Sequence, residues 1–377
     1  MSIAADPMVE TPLASDHRGS WVPTGGMIRT RIMELRKRRG LMIAMAAVNI
    51  GIPAIFLTIR LLLHAFDPKT YGPAGGYDVF SGLVAGVMFI FGFIVAATLG
   101  ASAGSSDLTD GMFRHLVVTG RSRMAIYFAR IPAGLAIVVP MVAAGFTIVC
   151  AVCCFAAPPK INYDGLTIPP GLSAPAFETW ASQHAELVLC GLPYRNINVN
   201  FPCFVNGKQQ VQFPTGPGGQ TPQLPSAAKM SQMARHAASQ NYVDYAKTFR
   251  SPSNLLMVKA GLWIELEAII GFIVGLGLAS LLGQRTVAVV LMIVLEVILT
   301  PLLSRHIIPH FINVQRGVVG LAVAHLEPGA LPSAFGGNGP GAPGLVPEST
   351  TAAVLVVIAW IVGWTALGAW RMAKRDA

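Results

Sequence analysis

Six long apolar stretches constrain this chain more than any other feature of its sequence. A helix needs roughly 20 apolar residues to cross a hydrocarbon core about 30 Å thick. Five of the six stretches reach that length, and the remaining one, Val287–Leu303, is at the lower limit. Only helices and closed barrels satisfy their backbone hydrogen bonds inside lipid, and barrel strands would alternate polar with apolar residues. We therefore predict an all-α integral membrane protein with six transmembrane helices. The stretches are Leu41–Leu63, Val79–Ala101, Ile131–Ala157, Leu255–Leu282, Val287–Leu303 and Thr351–Trp370.

The low content of charged residues indicates the same class. Asp, Glu, Lys and Arg make up 12% of the 377 residues, whereas soluble domains carry about 25%. That composition excludes a water-soluble globular protein, and the hydrophobic content of 53% excludes a disordered chain. The net charge of +9 does not predict nucleic-acid binding, because the cations gather at the ends of the apolar stretches, where they indicate membrane orientation.

Lysines and arginines divide the chain between the two sides of the membrane. Seven lie in residues 1–40, four in the loop 102–130, one at Arg285 and three in the C-terminal tail. Cations in short loops mark the cytoplasmic side, so both termini are predicted to be cytoplasmic, in the cell membrane. The predicted regions are a cytoplasmic segment 1–40, spans 1–3 in 41–157, an extracytoplasmic loop 158–257, and spans 4–6 in 258–377 with an outer loop 304–349.

The segment before the first span has the pattern of an amphipathic helix. Ile28, Ile32 and Leu35 share one helical face of Met27–Arg39, and arginines and Lys37 occupy the rest. Such a helix binds in the interfacial plane of a leaflet that contains anionic lipid. The alternative is a plain cluster of stop-transfer charges, which requires no helix.

Small residues recur at every fourth position in the second and fourth spans. Such ridges allow helix backbones to approach closely. Tight packing within the chain and a dedicated dimer interface both explain them, and the first is the simpler explanation. The residues are Gly92, Ala96, Gly100 and Gly104 in one span, and Gly271, Gly275, Ala279 and Gly283 in the other.

The outer loop 158–257 differs in composition from the spans. It contains 12 prolines, and only two patches in it, Ala176–Leu189 and Ala227–Phe249, have a helical pattern. We predict a long irregular cap rather than a catalytic domain. Cys190 and Cys203 lie in it, so an oxidising compartment would allow a disulfide between them, and the alternative is two separate buried thiols. In the second outer loop, the apolar run Gly317–Leu326 is too short to span and predicts a re-entrant or interfacial helix.

No motif for catalysis or metal binding is present. A Walker A sequence is missing, and His306 and His310 are separated by a proline and have no carboxylate at a catalytic spacing. The spans nevertheless contain three carboxylates, Glu265, Glu267 and Glu296. A charge at membrane depth is costly, so these groups should face protein, water or a partner. A substrate path and a hydrogen-bonded fastening between two helices remain equally good explanations.

The loop between the second and third spans carries the most informative pattern. Asp107 or Thr109 can begin a short helix whose apolar side contains Phe113 and Leu116, and Gly120 can end it. An aromatic and basic helix parallel to the membrane would suit docking to a soluble partner.

In this segment the chain resembles the permease subunits of ATP-binding-cassette (ABC) transporters of the type-2, exporter-like class. Those permeases combine an acidic residue and Gly with a hydrophobic and basic helix and an Arg before the third span. The layout of six spans with an interfacial basic helix and a short outer helix is also similar. Two departures are Thr119-Gly120 in place of a frequent Pro, and a much longer loop after the third span. The matching residues are Asp110, Gly111, Phe113, Arg114, Leu116 and Arg123, and Arg121 completes the set of proposed ATPase-coupling residues.

This resemblance implies a transport subunit without an ATPase site of its own. ATP and magnesium would bind to a separate ATPase subunit that docks on the 107–123 helix, and a second permease half, a homodimer partner, would complete the pathway. The chain itself would bind no cofactor, metal or nucleic acid. The alternative function is a non-transporting membrane anchor or sensor whose outer loop binds a ligand or partner.

Overall fold

The computed structural model contains the six predicted spans, and the chain is a multi-pass membrane protein. The structure describes residues 21–67, 71, 73–109, 122–157, 161–163, 166–169, 171–189, 203–205, 208–211, 226–248, 250–304, 308–328, 331 and 346–374. Six helices among them are long and apolar enough to cross a membrane. Spans 1–6 are Arg39–Phe66, Tyr77–Ser106, Arg123–Phe155, Asn254–Leu282, Arg285–Ser304 and Thr350–Lys374.

Shorter elements lie between the spans. The predicted amphipathic helix is present as Gly25–Lys37, and its Leu35 is buried. Between spans 3 and 4, two antiparallel hairpins pair β1 with β2 and β3 with β4. The remaining helices and the strands are Ala174–Gln183, Ala185–Leu189, Ala227–Thr248, Ile312–Arg316, Val319–His325, β1 (Ile161–Tyr163), β2 (Leu166–Ile168), β3 (Cys203–Val205) and β4 (Lys208–Val211).

Three spans contain a π-helical turn. These turns are Ala47–Gly51 in span 1, Leu83–Met88 in span 2 and Val294–Leu299 in span 5. A π-turn inserts an extra residue into the helix, shifts the register of the side chains that follow, and occurs frequently at functional sites. The turn in span 5 contains Glu296.

The chain divides into two compact units, and the first contains most of the helix packing. It comprises the described residues within Met1–Gly51, Ala85–Ala144 and Ala260–Ala377. In spans 2 and 4, 67% and 78% of the most apolar window is buried, against 22% in spans 5 and 6. Spans 2 and 4 are therefore central, and spans 5 and 6 present most of their surface outward.

Glycines bring the backbones of spans 2 and 4 together. A side chain at Gly100 would overlap the carbonyl oxygen of Phe272, and a Cβ at Gly271 would lie 2.7 Å from the carbonyl oxygen of Phe93. The ridges thus serve packing within the chain, which is the simpler of the two explanations drawn from the sequence. Gly92 is different, because nothing lies within 4 Å of its potential Cβ.

The second unit comprises the described residues within Ile52–Val84 and Gly145–Lys259. In the chain segment that connects span 3 to span 4, helices Ala174–Gln183 and Ala227–Thr248 enclose a small hydrophobic core, here called the loop core. The rings of Phe177 and Tyr245 stack in its middle, with centroids 3.9 Å apart. The described part of this loop is therefore more regular than the prolines predicted. The buried members of the loop core are Ile168, Phe177, Ala181, Val188, Leu189, Met230, Ala234, Ala238 and Tyr245.

Candidate functional site

Two carboxyl groups are buried inside the helix bundle of the first unit. Glu267 on span 4 is 1% exposed, and Glu296 on span 5 is fully buried. They are close enough for their charges to repel each other when both are ionised. Of the three carboxylates that the sequence singled out, these two are therefore the ones whose side chains are fully enclosed and interact electrostatically.

Glu265 does not belong to this pair. It precedes Glu267 by two residues, which turns its side chain about 200° around the helix. The residue as a whole is only partly buried, unlike Glu267, although both of its carboxyl oxygens are shielded and have no hydrogen-bond partner among the described residues. Glu265 therefore provides a natural comparison for the buried pair, at the same depth of the same span.

The π-turn of span 5 determines the surroundings of Glu296. Because of that turn, Thr300 Oγ1 lies 2.9 Å from the carbonyl oxygen of Leu295 and 3.4 Å from Glu296 Oε2. The hydroxyl has a single proton, so it donates to one of these oxygens at a time. Thr300 is itself fully buried, and it is a hydrogen-bond donor that reaches the pair.

The short helix Val319–His325 closes the site from another side. A Cβ at Gly320 would lie 2.7 Å from Glu296 Oε2 and equally close to Thr300, so a larger residue there would displace these side chains. Trp263 Nε1 on span 4 donates to the carbonyl oxygen of Val323 over 2.8 Å. The ring of Trp263 also stacks on Phe89 of span 2, with centroids 4.5 Å apart. The predicted short helix is thus buried and fixed against spans 4 and 5.

Most oxygens of the pair lack a donor. Both carboxyl oxygens of Glu267 and Oε1 of Glu296 are shielded from solvent and have no hydrogen-bond partner among the described residues. Buried polar groups are nearly always satisfied, so a buried group without a partner indicates a strained or functional position. The pair is therefore the strongest candidate for a functional site in the described part of the chain.

A buried arginine is a feature that sequence reasoning missed. Arg130 is 1% exposed, and its Nη1 donates to the carbonyl oxygen of Gly104 over 3.0 Å. Ser280 Oγ on span 4 lies 3.4 Å from the same oxygen. The sequence prediction began span 3 at Ile131 and counted Arg130 as a loop cation, whereas the helix begins at Arg123. This contact joins the end of span 2 to spans 3 and 4.

The proposed coupling residues lie mostly outside the described residues. This applies to Asp110, Gly111, Phe113, Arg114, Leu116 and Arg121. Residues 107–109 continue the helix of span 2 to Thr109, so Asp107 does not begin a separate helix as predicted. Arg123 starts span 3, and its Nη1 donates to the carbonyl oxygen of Ala373 over 3.2 Å.

The disulfide between Cys190 and Cys203 stays a prediction. Cys190 and the side chain of Cys203 lie outside the described residues, although the backbone of Cys203 begins β3. Cys150, Cys153 and Cys154 are free thiols. Within the described ranges, no group of three or more His, Cys, Asp and Glu side chains could hold a metal ion.

A second polar cluster lies between the short helix and span 6. His325 Nδ1 lies 3.8 Å from Glu348 Oε2 and 2.8 Å from the carbonyl oxygen of Leu321. Burial raises the pKa of Glu348, and the nearby His325 and Arg316 partly offset that rise. This cluster links the C-terminal end of the short helix to Glu348, which lies just before span 6.

Comparison with protein-family models, curated proteins and solved structures finds no match. Function is therefore argued from the residues and their geometry alone.

Proposed function

We propose that the chain is the membrane-spanning permease subunit of an ATP-driven ABC transporter that exports its substrate from the cell. The order of segments carries the proposal. The basic helix Gly25–Lys37 directly precedes span 1, and the buried helix Val319–His325 lies between spans 5 and 6. Both accompany six spans in the positions that the sequence resemblance implies. The protein would be located in the cell membrane, with both termini in the cytoplasm and the basic helix bound to anionic lipid.

Energy would enter through the 107–123 segment. A separate ATPase subunit binds ATP and magnesium, and docks where Phe113 provides an apolar anchor and Arg114, Arg121 and Arg123 provide charged contacts. Interfaces commonly depend on a buried aromatic residue or arginine of this kind. Two copies of the permease form the pathway, and neither copy hydrolyses ATP itself.

The contact at Gly104 supports transmission of a movement of the 107–123 segment into the helix bundle. This carbonyl is three residues before Asp107 and accepts hydrogen bonds from Arg130 on span 3 and Ser280 on span 4. A displacement of the 107–123 segment would therefore act on three spans together. Alternating access follows when the closing ATPase dimer drives that displacement.

Paired substitutions at the segment test the proposal. Phe113→Ala combined with Arg114→Ala should release the ATPase from permease purified out of native membranes, and should abolish substrate-stimulated ATP hydrolysis. Lys229→Ala, at an exposed position of helix Ala227–Thr248, is the matched control and should change neither. A double variant that retains both wild-type association and wild-type stimulated hydrolysis would contradict the coupling role.

The loop core favours one second candidate, a membrane anchor or sensor. A cleft of about 290 Å³ opens beside it, lined by side chains that include His184, Glu186, Met230 and Ser231. Such a cleft suits binding of a ligand or partner. If the chain co-purifies with a kinase or regulatory protein instead of an ATPase, this candidate replaces the permease.

A further inference from the structure

We propose that Glu267 and Glu296 form a proton-binding site within the membrane, at which the pair holds one proton and exchanges it as spans 4 and 5 rearrange. The proposal goes beyond the transport function and does not depend on the ATPase partner. The two buried acids would then bind an exchangeable proton, rather than only attach one helix to another.

Burial makes two simultaneous charges at this site unfavourable. Both side chains are at most 1% exposed. An ionised carboxylate at the centre of a bilayer costs at least about 2.5 kcal/mol, and two like charges side by side disfavour the second ionisation further. One member of the pair therefore carries a proton when the other is ionised.

No cation forms an ion pair with either carboxyl group among the described residues. Span 3, whose Gly134 contacts Phe272 of span 4, carries the buried Arg130, and Arg130 Nη1 donates to the carbonyl oxygen of Gly104. Span 2, which packs against span 5, has no titratable residue between Asp78 and Asp107. Span 6 has none before Arg371, and span 4 contributes only Lys259 and Glu265 besides Glu267. On the short helix, His325 is engaged with Leu321 and Glu348. Beyond its ends, Arg316 donates to the carbonyl oxygen of Pro347.

The hydrogen-bond inventory points to a proton as the ligand. Ionised carboxylates only accept hydrogen bonds, and three of the four oxygens of the pair have no donor within the described residues. A bound proton removes the charge of one carboxyl group and converts it into an O–H donor. Close packing of Gly320 against Glu296 and Thr300 leaves little space on that side for a larger ion, whereas a proton requires no volume.

The π-turn supplies a reason for exchange rather than permanent protonation. The hydroxyl of Thr300 can donate its proton either to the carbonyl oxygen of Leu295 or to Glu296 Oε2. When Glu296 is ionised, the hydroxyl gains by donating to the carboxylate, because hydrogen bonds to charged groups are stronger. When Glu296 is protonated, the bond to the backbone is favoured, so proton occupancy and the state of the π-turn are linked.

Infrared difference spectroscopy on the full chain in lipid nanodiscs tests the site. As pH is raised, the wild-type protein should lose the carbonyl stretching band of protonated carboxylic acids, and the part of that band that the pair contributes should have an amplitude of one group per chain. The Glu267→Gln and Glu296→Gln double variant should lack that part of the band. Either single variant should keep one titrating group, and the midpoint of that group should differ from the wild-type midpoint because the neighbouring acid is gone. Glu265→Gln is the matched control and should leave the pair's band and its midpoint unchanged.

Three results would overturn the proposal. A band that persists at all pH values, and does not shift in D₂O, would identify a permanently protonated fastening. A band that disappears when sodium or potassium chloride is added at constant pH would identify a cation site. An unchanged titration in the double variant would assign the band to other residues. If the glutamine variants fail to fold, Glu267→Asp and Glu296→Asp keep the acids, and a band frequency and midpoint that neither variant changes would assign the titration to other residues.

Discussion

At the scale of single residues, the glycines of span 2 divide into positions in contact and positions in open space. Gly100 faces the backbone of span 4 at Phe272 and Leu276, whereas Gly92 has no atom within 4 Å of its potential Cβ. The same substitution should therefore have opposite effects at two positions on one helix.

Gly100→Ala should destabilise the bundle by about 1–3 kcal/mol or more, because its methyl group overlaps backbone atoms that cannot rotate away. Thermal unfolding of the purified protein in one detergent measures the effect as a lower midpoint. Gly92→Ala is the matched control, and should be neutral or stabilising by up to about 1 kcal/mol, since alanine favours helix over glycine. Equal midpoints for the two variants would contradict the close approach of spans 2 and 4.

At the scale of elements, helix Ala227–Thr248 is held in the loop core by Tyr245. Its hydroxyl donates to the carbonyl oxygen of Pro169 and accepts from the amide of Leu172 at 3.2 Å. Burial raises the pKa of Tyr245, while the hydrogen bond to Leu172 lowers it in part. The unfolded tyrosine ionises near pH ~10. The contribution of the neutral phenol is therefore complete below that pH, and is lost as pH rises towards the folded value.

We expect hydrogen exchange in helix Ala227–Thr248 to accelerate above pH ~10, beyond the intrinsic effect of pH on exchange. Tyr245→Phe should remove this excess, and should lower local stability at neutral pH by about 1 kcal/mol through the lost hydrogen bonds. Tyr71→Phe is the control, because Tyr71 is an exposed residue and its substitution should leave the excess unchanged. If Tyr245→Phe keeps the same excess, another group controls the opening of the loop core.

At the scale of the whole molecule, the arrangement of loops across the membrane follows from the distribution of cations. We predict that an impermeant thiol reagent applied to intact cells labels cysteines introduced at Gly216 and Gly339, in a variant whose 5 native cysteines are replaced. Cysteines introduced at Asp107 and Lys374 should react only after the membrane is permeabilised. Labelling of position 107 from outside would reverse the predicted orientation.

Hydropathy alone predicted the number and location of the spans. A stretch of about 20 apolar residues has no other stable position than a helix in lipid, so Thr351–Trp370 needed no information from the rest of the chain. The amphipathic helix Gly25–Lys37, the two helices of the loop core and the short helix Val319–His325 followed from residue spacing for a similar reason. Each pattern is local, and local backbone geometry alone specifies which side chains share a face.

Contacts between distant residues were decided only by the tertiary structure. The sequence gives no register for spans 4 and 5, so it could not show that Glu267 and Glu296 are both buried in the bundle and interact electrostatically. The π-turn in span 5 and the missing side chain at Gly320 determine the surroundings of Glu296, and neither leaves a hydropathy signal. Arg130 was misassigned for the same reason, because a cation at the edge of an apolar run looks like a loop residue until Gly104 and Ser280 are placed beside it. Hydropathy measures the affinity of each segment for lipid, whereas the site depends on which helix faces pack together.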